Sequence, residues 1–493
     1  MPSPNSQRDL FSSVPDAAPA AGPKRLGIGV DFGTSNSAVA IFDGERIQLV
    51  QLERNNVTMP SASYIDRQFQ VCTGQEAIDS YIRNNMGRKV ELGVEVLGEG
   101  RTSTGQTGGD GLPESASTDL IYGQAFVDSG EKGRLFRGVK RMLGRADVPR
   151  LMVFEKAFRL VALITPILVR IQQGAQALVS AQSPGAQADH ACIGHPVNFE
   201  GKDAHHNEVA LERLSEACQH AGFVDRQFYP EPLAAALSYM QANPHSSAKH
   251  LLAVDFGGGT LDLCVLRRDG LSFDVIAIHG VGLGGDHVDQ ALFRALLFPL
   301  LGKGEMWRRK GEDRQIETLF PFELYEDLIL NWAVSYLLNQ NQYTTPVQQC
   351  LEMGGEALPK FQRLYELIKQ NQSYLVFQCI KDMKAKLSEQ TEAVLDIPEI
   401  DVEITVTRAQ FEEIIAGQLA QFEQAVTDTL TQAGLPAESI DVVVSTGGSS
   451  LIPAVRRSLD RVFPSKVVEH DPFTSVAAGL AIAEYQNRGA RES

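Results

Sequence analysis

Positive charge is scarce in this 493-residue sequence: 45 Lys and Arg stand against 61 Asp and Glu, a formal net charge of −16. Polyanions are held by a basic surplus, so nucleic acid is not expected as a partner, and any anion site has to be local. Cysteine is sparse as well. Cys72, Cys192, Cys218, Cys264, Cys350 and Cys379 form no C-x-x-C pair, which removes the usual zinc and redox motifs and points to buried thiols in a reducing compartment, the cytoplasm. Long apolar runs are missing too. The longest, Leu160 to Ile171, carries Pro166 and Arg170 and is shorter than the ~20 residues of a membrane span, so it reads as a buried helix and no membrane is expected. Residues 1–24, rich in Ser, Pro and Ala, lack the basic and apolar regions of a secretory signal and read as a disordered tail. There is no G-x-x-x-x-G-K-[ST] loop, and no G-x-G-x-x-G opens a helix after a strand, which takes support from the two commonest nucleotide folds.

What the chain does have is core material and a repeat. Its hydrophobic fraction is 43% and its charged fraction 22%, ordinary for a globular protein, and its length calls for two or more lobes. Gly29-Val30-Asp31-Phe32-Gly33-Thr34-Ser35-Asn36-Ser37 and Val254-Asp255-Phe256-Gly257-Gly258-Gly259-Thr260-Leu261-Asp262 share one design, 224 residues apart. In each, an apolar strand ends in Asp and passes into a turn of Gly, Ser and Thr whose N–H groups and hydroxyls are free to face phosphate oxygens. Two such turns closing on one phosphate chain, with Asp31 and Asp255 on the metal side, is the arrangement this pattern predicts.

The surroundings repeat in the same way. Leu26 to Phe42 reads as strand, turn and strand, with Asp43-Gly44 as a hairpin turn before Ile47 to Leu52; His250 to Val265 repeats this, with Arg268-Asp269-Gly270 as the turn before Phe273 to His279. Lys156 to Val179, Val209 to Ala221 and Pro232 to Gln241 read as helices and His190 to His195 as a strand, which makes the chain α/β. Helices dominate from Val288 to Leu387, with strands at Val402 to Val406 and Ile440 to Ser445. Two segments read as insertions. Residues 94–119, dense in Gly, Ser and Thr, read as a flexible loop, and residues 305–374 as a helical insertion with amphipathic stretches at Phe322 to Leu338 and Phe361 to Ile368. The basic stretch Trp307 to Arg314 reads as a solvated loop, and Asp203, His205 and His206 as a helix start rather than a metal site.

Five segments together resemble the ATPase domain of the seventy-kilodalton heat-shock chaperones (DnaK-type), within the superfamily that also holds actin and the sugar kinases. They are Asp31-Phe32-Gly33-Thr34-Ser35; Phe136-Arg137-Gly138-Val139-Lys140-Arg141-Met142-Leu143-Gly144; Tyr229-Pro230-Glu231-Pro232-Leu233-Ala234-Ala235-Ala236; Asp255 to Asp262 with Leu283-Gly284-Gly285-Asp286; and Ser445-Thr446-Gly447-Gly448-Ser449-Ser450-Leu451-Ile452-Pro453. The resemblance implies an actin-like fold of two lobes, each a βββαβαβα (ribonuclease-H-like) unit. Lobe I would cover residues 25–242 and lobe II residues 243–486, with a tail at 487–493 and no peptide-binding domain, as in the short homologues of the YegD type. It implies ATP or ADP with Mg2+, and K+ as a further candidate.

By the same resemblance, Lys140, Glu231, Asp255 and Thr260 carry catalysis, with Lys140 at the γ-phosphate and the attacking water. Asp31, Asp255, Glu231 and Asp262 serve the metal. Gly33, Thr34, Ser35, Gly257, Gly258, Gly259, Gly284, Gly285, Lys384, Ser388, Gly447, Gly448 and Ser449 hold the nucleotide. The base pocket departs from the family pattern: its arginines are replaced by Ala385 and Leu451, a nearby glutamate by Lys381, and an aspartate by Phe473. The implied function is a Mg-dependent ATPase of the chaperone type whose lobe opening and closing is read by a protein partner or client. A small-molecule kinase of the same superfamily and a non-catalytic nucleotide sensor or scaffold stand as alternatives.

Overall fold

The computed structural model describes residues 25–102, 117–201, 204–269, 272–310 and 315–492. In the first half of the chain, β1 (Gly27–Phe32), β2 (Asn36–Phe42) and β3 (Ile47–Leu49) form an antiparallel meander. The Asp43-Gly44 turn joins the last two, with Asp43 Oδ1 accepting the N–H groups of Glu45 and Arg46 and Gly44 at φ +97°. After helix α1 (Leu160–Gln182), strand β4 (His190–His195) runs parallel to β1. Helix α2 (His206–Ala221) leads to β5 (Asp225–Pro230), parallel to β4. Helix α3 (Glu231–Ala242) follows directly.

The second half lays down a sheet of the same order and sense. Strands β6 (His250–Phe256), β7 (Leu261–Asp269) and β8 (Ser272–Val281) are antiparallel. They are followed by helices α4 (Gly285–Leu292) and α5 (Ser373–Glu389), by parallel strands β9 (Val442–Thr446) and β10 (Val467–Glu469), and by α6 (Ser475–Glu492). The sheet orders are β5-β4-β1-β2-β3 and β8-β7-β6-β9-β10.

The two-residue period of the central strands decides which side each residue serves. Ile28, Val30 and Phe32 join a core with α1 and α2, so Gly29 and Asp31 face the other way. There α6 lies so close that a Cβ on Gly29 would fall 2.2 Å from Ala477 O. Likewise Leu252, Val254 and Phe256 enter the larger core of the second half, while Leu251 and Ala253 pack on α3 through Leu233 and Ala236. The helices are therefore exchanged: α3, from the first half, covers the second sheet, and α6, from the second, covers the first. They cross where Gly479 meets the backbone of Ala234. Asp31 and Asp255 stand at the ends of their strands on the faces turned toward this crossing.

Several elements differ from the sequence reading. Residues 156–159 are a strand paired with Arg150–Val153 across a tight turn, with Phe154 at φ +55°, so α1 begins at Leu160. Phe322 to Leu338 is not one helix; it breaks at Asn331 between Glu323–Leu330 and a 3-10 turn at Ser335–Asn339. Trp307 to Lys310 is no solvated loop. It forms a hairpin strand with Gln315–Leu319, and Trp307 is buried against Phe320; an aromatic ring pays for ordering that a charge count does not register. Leu92–Thr102 and Ser117–Asp128 pair as antiparallel strands where a flexible loop was expected, residues 103–116 lying outside the described residues. Helix α6 continues to Glu492 through the expected tail. Residues 1–24, Asp203, Gly270 and residues 311–314 also lie outside the described residues.

Candidate functional site

The cleft begins at the two repeated turns, which abut. A Cβ on Gly258 would fall 2.4 Å from Ser35 Oγ, and one on Gly259 would fall 3.3 Å from Thr34 Oγ1. A side chain at either glycine would crowd the opposing loop, meeting Ser35 at Gly258 and Thr34 and Arg141 at Gly259. Gly284 is equally confined, its absent Cβ 2.3 Å from Gly258 O, and the N–H groups of Gly285 and Asp286 donate to the carbonyls of Gly257 and Gly258. Gly447 turns at φ +84° beside Asp255, and Ser449 Oγ donates to Gly257 O at 2.8 Å. Three glycine segments far apart in sequence thus build one wall.

Lys140 reaches this wall from a 3-10 turn, Val139–Met142, entered through Gly138 at φ +67°. Its Nζ lies 2.5 Å from Glu231 Oε1, both side chains being buried. Glu231 is the first residue of α3, where the helix N-terminus favours a carboxylate, and Gly194 leaves room for its side chain. Asp255 lies beside Asp262 across the β6–β7 ladder and beside Thr446 across β6–β9. Asp262 accepts from Val197 N–H at 2.9 Å and from Thr260 Oγ1 at 2.8 Å. Thr260 therefore spends its hydroxyl proton on Asp262, and Asp262 ties the second sheet to the segment after β4.

Four carboxylates face one ammonium here, and the charge is unbalanced. Burial, reinforced by Glu231 and only partly offset by Lys140, pushes Asp31 up to about 7. Burial and Glu231 bring Asp262 to about 7 against the pull of its two hydrogen bonds, and burial, Glu231, Asp262 and Asp31 raise Asp255 well above the carboxylate range. Burial draws the Lys140 ammonium down, but Glu231 and Asp31 outweigh it and leave it above the ordinary lysine value. Such a deficit of positive charge suits a hydrated cation. Among the described residues no three His, Cys, Asp or Glu side chains converge closely enough to hold a metal directly.

Beyond the turns the cleft has a volume of about 680 Å³, within the range of small-molecule sites. It gathers Asp31, Gly33 to Asn36, Lys140, Glu231, Asp255, Gly257 to Thr260, Gly285, Lys384, Ser388 and Gly447 to Ser449. Every sequence-derived site residue except Asp262 and Gly284 lines it, and those two support its wall. Three further residues, Asp286, Asp289 and Lys381, were given no site role in the sequence, and they meet around Lys384. Asp286 and Asp289, three apart on α4, meet Lys381 and Lys384, three apart on α5: Lys384 Nζ is 2.5 Å from Asp289 Oδ1 and donates to Gly285 O at 3.1 Å, and Lys381 donates to Asp286 at 3.3 Å. Both oxygens of Asp289 are buried without a directed hydrogen bond, so charge alone balances them. Burial raises Asp286, but Lys381, Lys384 and Arg141 outweigh it and hold it below the usual carboxylate value. Arg141 also binds Glu200, bridging the two halves of the chain at the turns. The matched i, i+3 spacing of opposite charges was the available signal.

His205 pairs with Glu208 on the surface, and the six cysteines are unpaired thiols. Among the described residues no helix is long and apolar enough to cross a membrane.

Known proteins resemble this chain along most of its length. Heat shock 70 kDa protein BIP3 of Oryza sativa subsp. japonica is 25% identical over 459 residues, covering 92% of this chain and 56% of that protein. A heat shock cognate HSP70 protein of Trypanosoma brucei brucei is 25% identical over 464 residues, covering 92% and 55%. Chaperone protein dnaK of Guillardia theta is 23% identical over 459 residues, covering 92% and 59%. The chain spans rather more than half the length of these curated relatives. The model of the Hsp70 protein family matches residues 151–303 and 366–489, more than half of the sequence, and the chain belongs to the Hsp70 family.

Proposed function

We propose that the protein binds ATP in this cleft and hydrolyses it with Mg2+, as a chaperone-type ATPase whose opening and closing is read by a protein partner or client. The observation that carries the reading is the buried Lys140–Glu231 pair set among Asp31, Asp255 and Asp262 beside two abutting glycine turns. The turns supply N–H groups and hydroxyls to the phosphates, and the ammonium of Lys140 balances charge that develops on the transferred group. Asp255, raised above the ordinary carboxylate value by its burial and its acidic neighbours, is the candidate to accept a proton from the attacking water. Magnesium, when bound, supplies positive charge at the phosphate oxygens; Asp31, Asp255, Glu231 and Asp262 would hold its waters, and Asp262 is a candidate for K+.

The division into lobes at residues 25–242 and 243–486, each a duplicated βββαβαβα unit, belongs to the same proposal, as does a cytoplasmic setting. The matching strand order of the two sheets supports the duplication. The test is phosphate release from ATP with Mg2+, together with the thermal shift that ATP induces. Lys140→Ala is expected to lower turnover by ~10²–10³-fold, the loss typical of a key charge-stabilising group. A protein with neither an ATP-induced shift nor Lys140-dependent turnover refutes the proposal.

One observation favours the kinase alternative. A second cavity of about 760 Å³ adjoins the first and shares Thr34, Ser35, Arg141 and Asp286 with it. ATP consumption that depends on an added small hydroxylated metabolite would support that reading over water as the acceptor.

A further inference from the structure

We infer that Phe473 is the stacking platform for the base of the bound nucleotide, and that the site consequently accepts adenine and guanine nucleotides alike. The inference rests on the nucleotide reading above and concerns the apolar part of the cleft wall, where Ala385, Leu451, Ile452 and Phe473 lie. The sole guanidinium on the cleft wall among the described residues is Arg141, and it is bound to Glu200 and Asp286. No arginine is therefore available to cover a base.

Phe473 is, at 47% exposure, an exposed aromatic ring, and among the described residues no other ring pairs with it. Its backbone is nonetheless fixed. Asp471 Oδ1 accepts the N–H groups of Phe473 and Thr474, Asp471 Oδ2 accepts the Thr474 hydroxyl at 2.6 Å, and Gly447 N–H donates to Pro472 O. The ring lies against Gly448, whose absent Cβ would be 3.2 Å from it. An aromatic ring left exposed yet held on a fixed turn, on the wall of a cleft that also carries the glycine turns, can take a planar base. The polar groups near it discriminate poorly. Lys384 is occupied by Asp289 and Gly285 O, and Ser388 Oγ by the carbonyl of Lys384. Glu389 and Glu469 are exposed acceptors that can take an amino group from either purine. Stacking, by contrast, is tolerant of base identity.

Titration calorimetry with ATP, GTP and inorganic tripolyphosphate, each with Mg2+, tests this on the full chain. The wild type is expected to bind ATP and GTP within about tenfold of each other. Phe473→Ala is expected to weaken both by about tenfold, the lower range of one base–aromatic stack, and to leave tripolyphosphate unchanged; Phe473→Trp should restore both. A melting temperature for Phe473→Ala close to wild type confirms that the exposed ring was not supporting the fold. Unchanged ATP affinity in folded Phe473→Ala, or a preference for ATP over GTP beyond about a hundredfold, overturns the inference while tripolyphosphate binding still upholds the phosphate site. Absence of binding by all three ligands overturns the nucleotide reading itself, and the inference with it.

Discussion

At Lys140 structure and chemistry make opposing demands. Breaking a buried ion pair leaves one charge without its partner, which costs about 3–5 kcal/mol, so Lys140→Met should lower stability by about that amount because Glu231 stays buried beside it. Lys140→Met with Glu231→Gln should recover most of that loss, since neither side chain then carries a charge, yet remain as inactive in phosphate release as the single variant. Chemical denaturation and turnover, measured on the same preparations, separate the two effects. The carboxylates predict a pH dependence. Asp31 and Asp262 titrate near 7 in the folded chain against 3.8 when unfolded, so between those values the native state holds the extra protons. Their contribution to the stability of the ligand-free protein is complete below about pH 4 and is lost as pH rises through 7. Cation binding releases those protons, so Mg2+ affinity should fall by about tenfold per pH unit below 7 for each proton released. Melting curves with and without Mg2+ at pH 6 and pH 8 check both signs: the Mg2+-induced rise should be larger at pH 8.

Among the elements, the crossing of α3 and α6 is the most constrained. A Cβ on Gly479 would fall 1.7 Å from Ala234 O, so Gly479→Ala has to separate two helices that each cover the other half's sheet. An overpacked contact of this kind costs ~1–3 kcal/mol or more, and a lowered melting temperature with weakened ATP binding is expected together, because Glu231 opens α3 and would move with it. This crossing also marks how far the sequence could be read. The strands were legible because Gly29 to Phe32 and Val254 to Phe256 alternate and end in small-residue turns, and at Gly258 and Gly259 the facing loop stands in the side-chain space. The exchange of α3 and α6 was not legible. Nothing in the alanine-rich stretches Leu233 to Ala236 or Val476 to Ala483 says which sheet they cover; close approach of backbones leaves only an absence of side-chain volume as its trace. The hairpin at Trp307 was hidden for the opposite reason, since its arginines mask a buried ring. Asp286, Asp289 and Lys381, the partners around Lys384, could have been found from matched spacing, but only once α4 and α5 were known to be neighbours.

On the scale of the whole molecule, the halves also touch away from the turns and the α3–α6 crossing. Tyr81, on the helix Gln75–Asn85, meets Tyr374 with ring centroids 5.2 Å apart and Trp332 with centroids 5.9 Å apart. Around them Arg137 donates to the Tyr374 hydroxyl at 3.1 Å, Gly87 N–H to Gln370 O, and Asn371 Nδ2 to Asn85 O. These residues join the start of α5 to the first half beside the second cavity, which Tyr81 and Trp332 also line. Any opening wide enough to admit a nucleotide from that side has to part this aromatic clasp. Two ring pairs at ~0.5–1.5 kcal/mol each are enough to slow such an opening without making it inaccessible. Tyr374→Ala should therefore release bound ATP about tenfold faster, while hydrolysis of ATP already bound stays near the wild-type rate, because Lys140 and Asp255 are untouched. The chain has two tryptophans, so Trp307→Phe leaves Trp332 as a reporter inside the clasp, and stopped-flow fluorescence during ATP chase gives the opening rate directly. If release is limited elsewhere, Tyr374→Ala will change the Trp332 signal but not the rate at which ATP leaves, and the clasp is then a packing contact between halves that open by another edge.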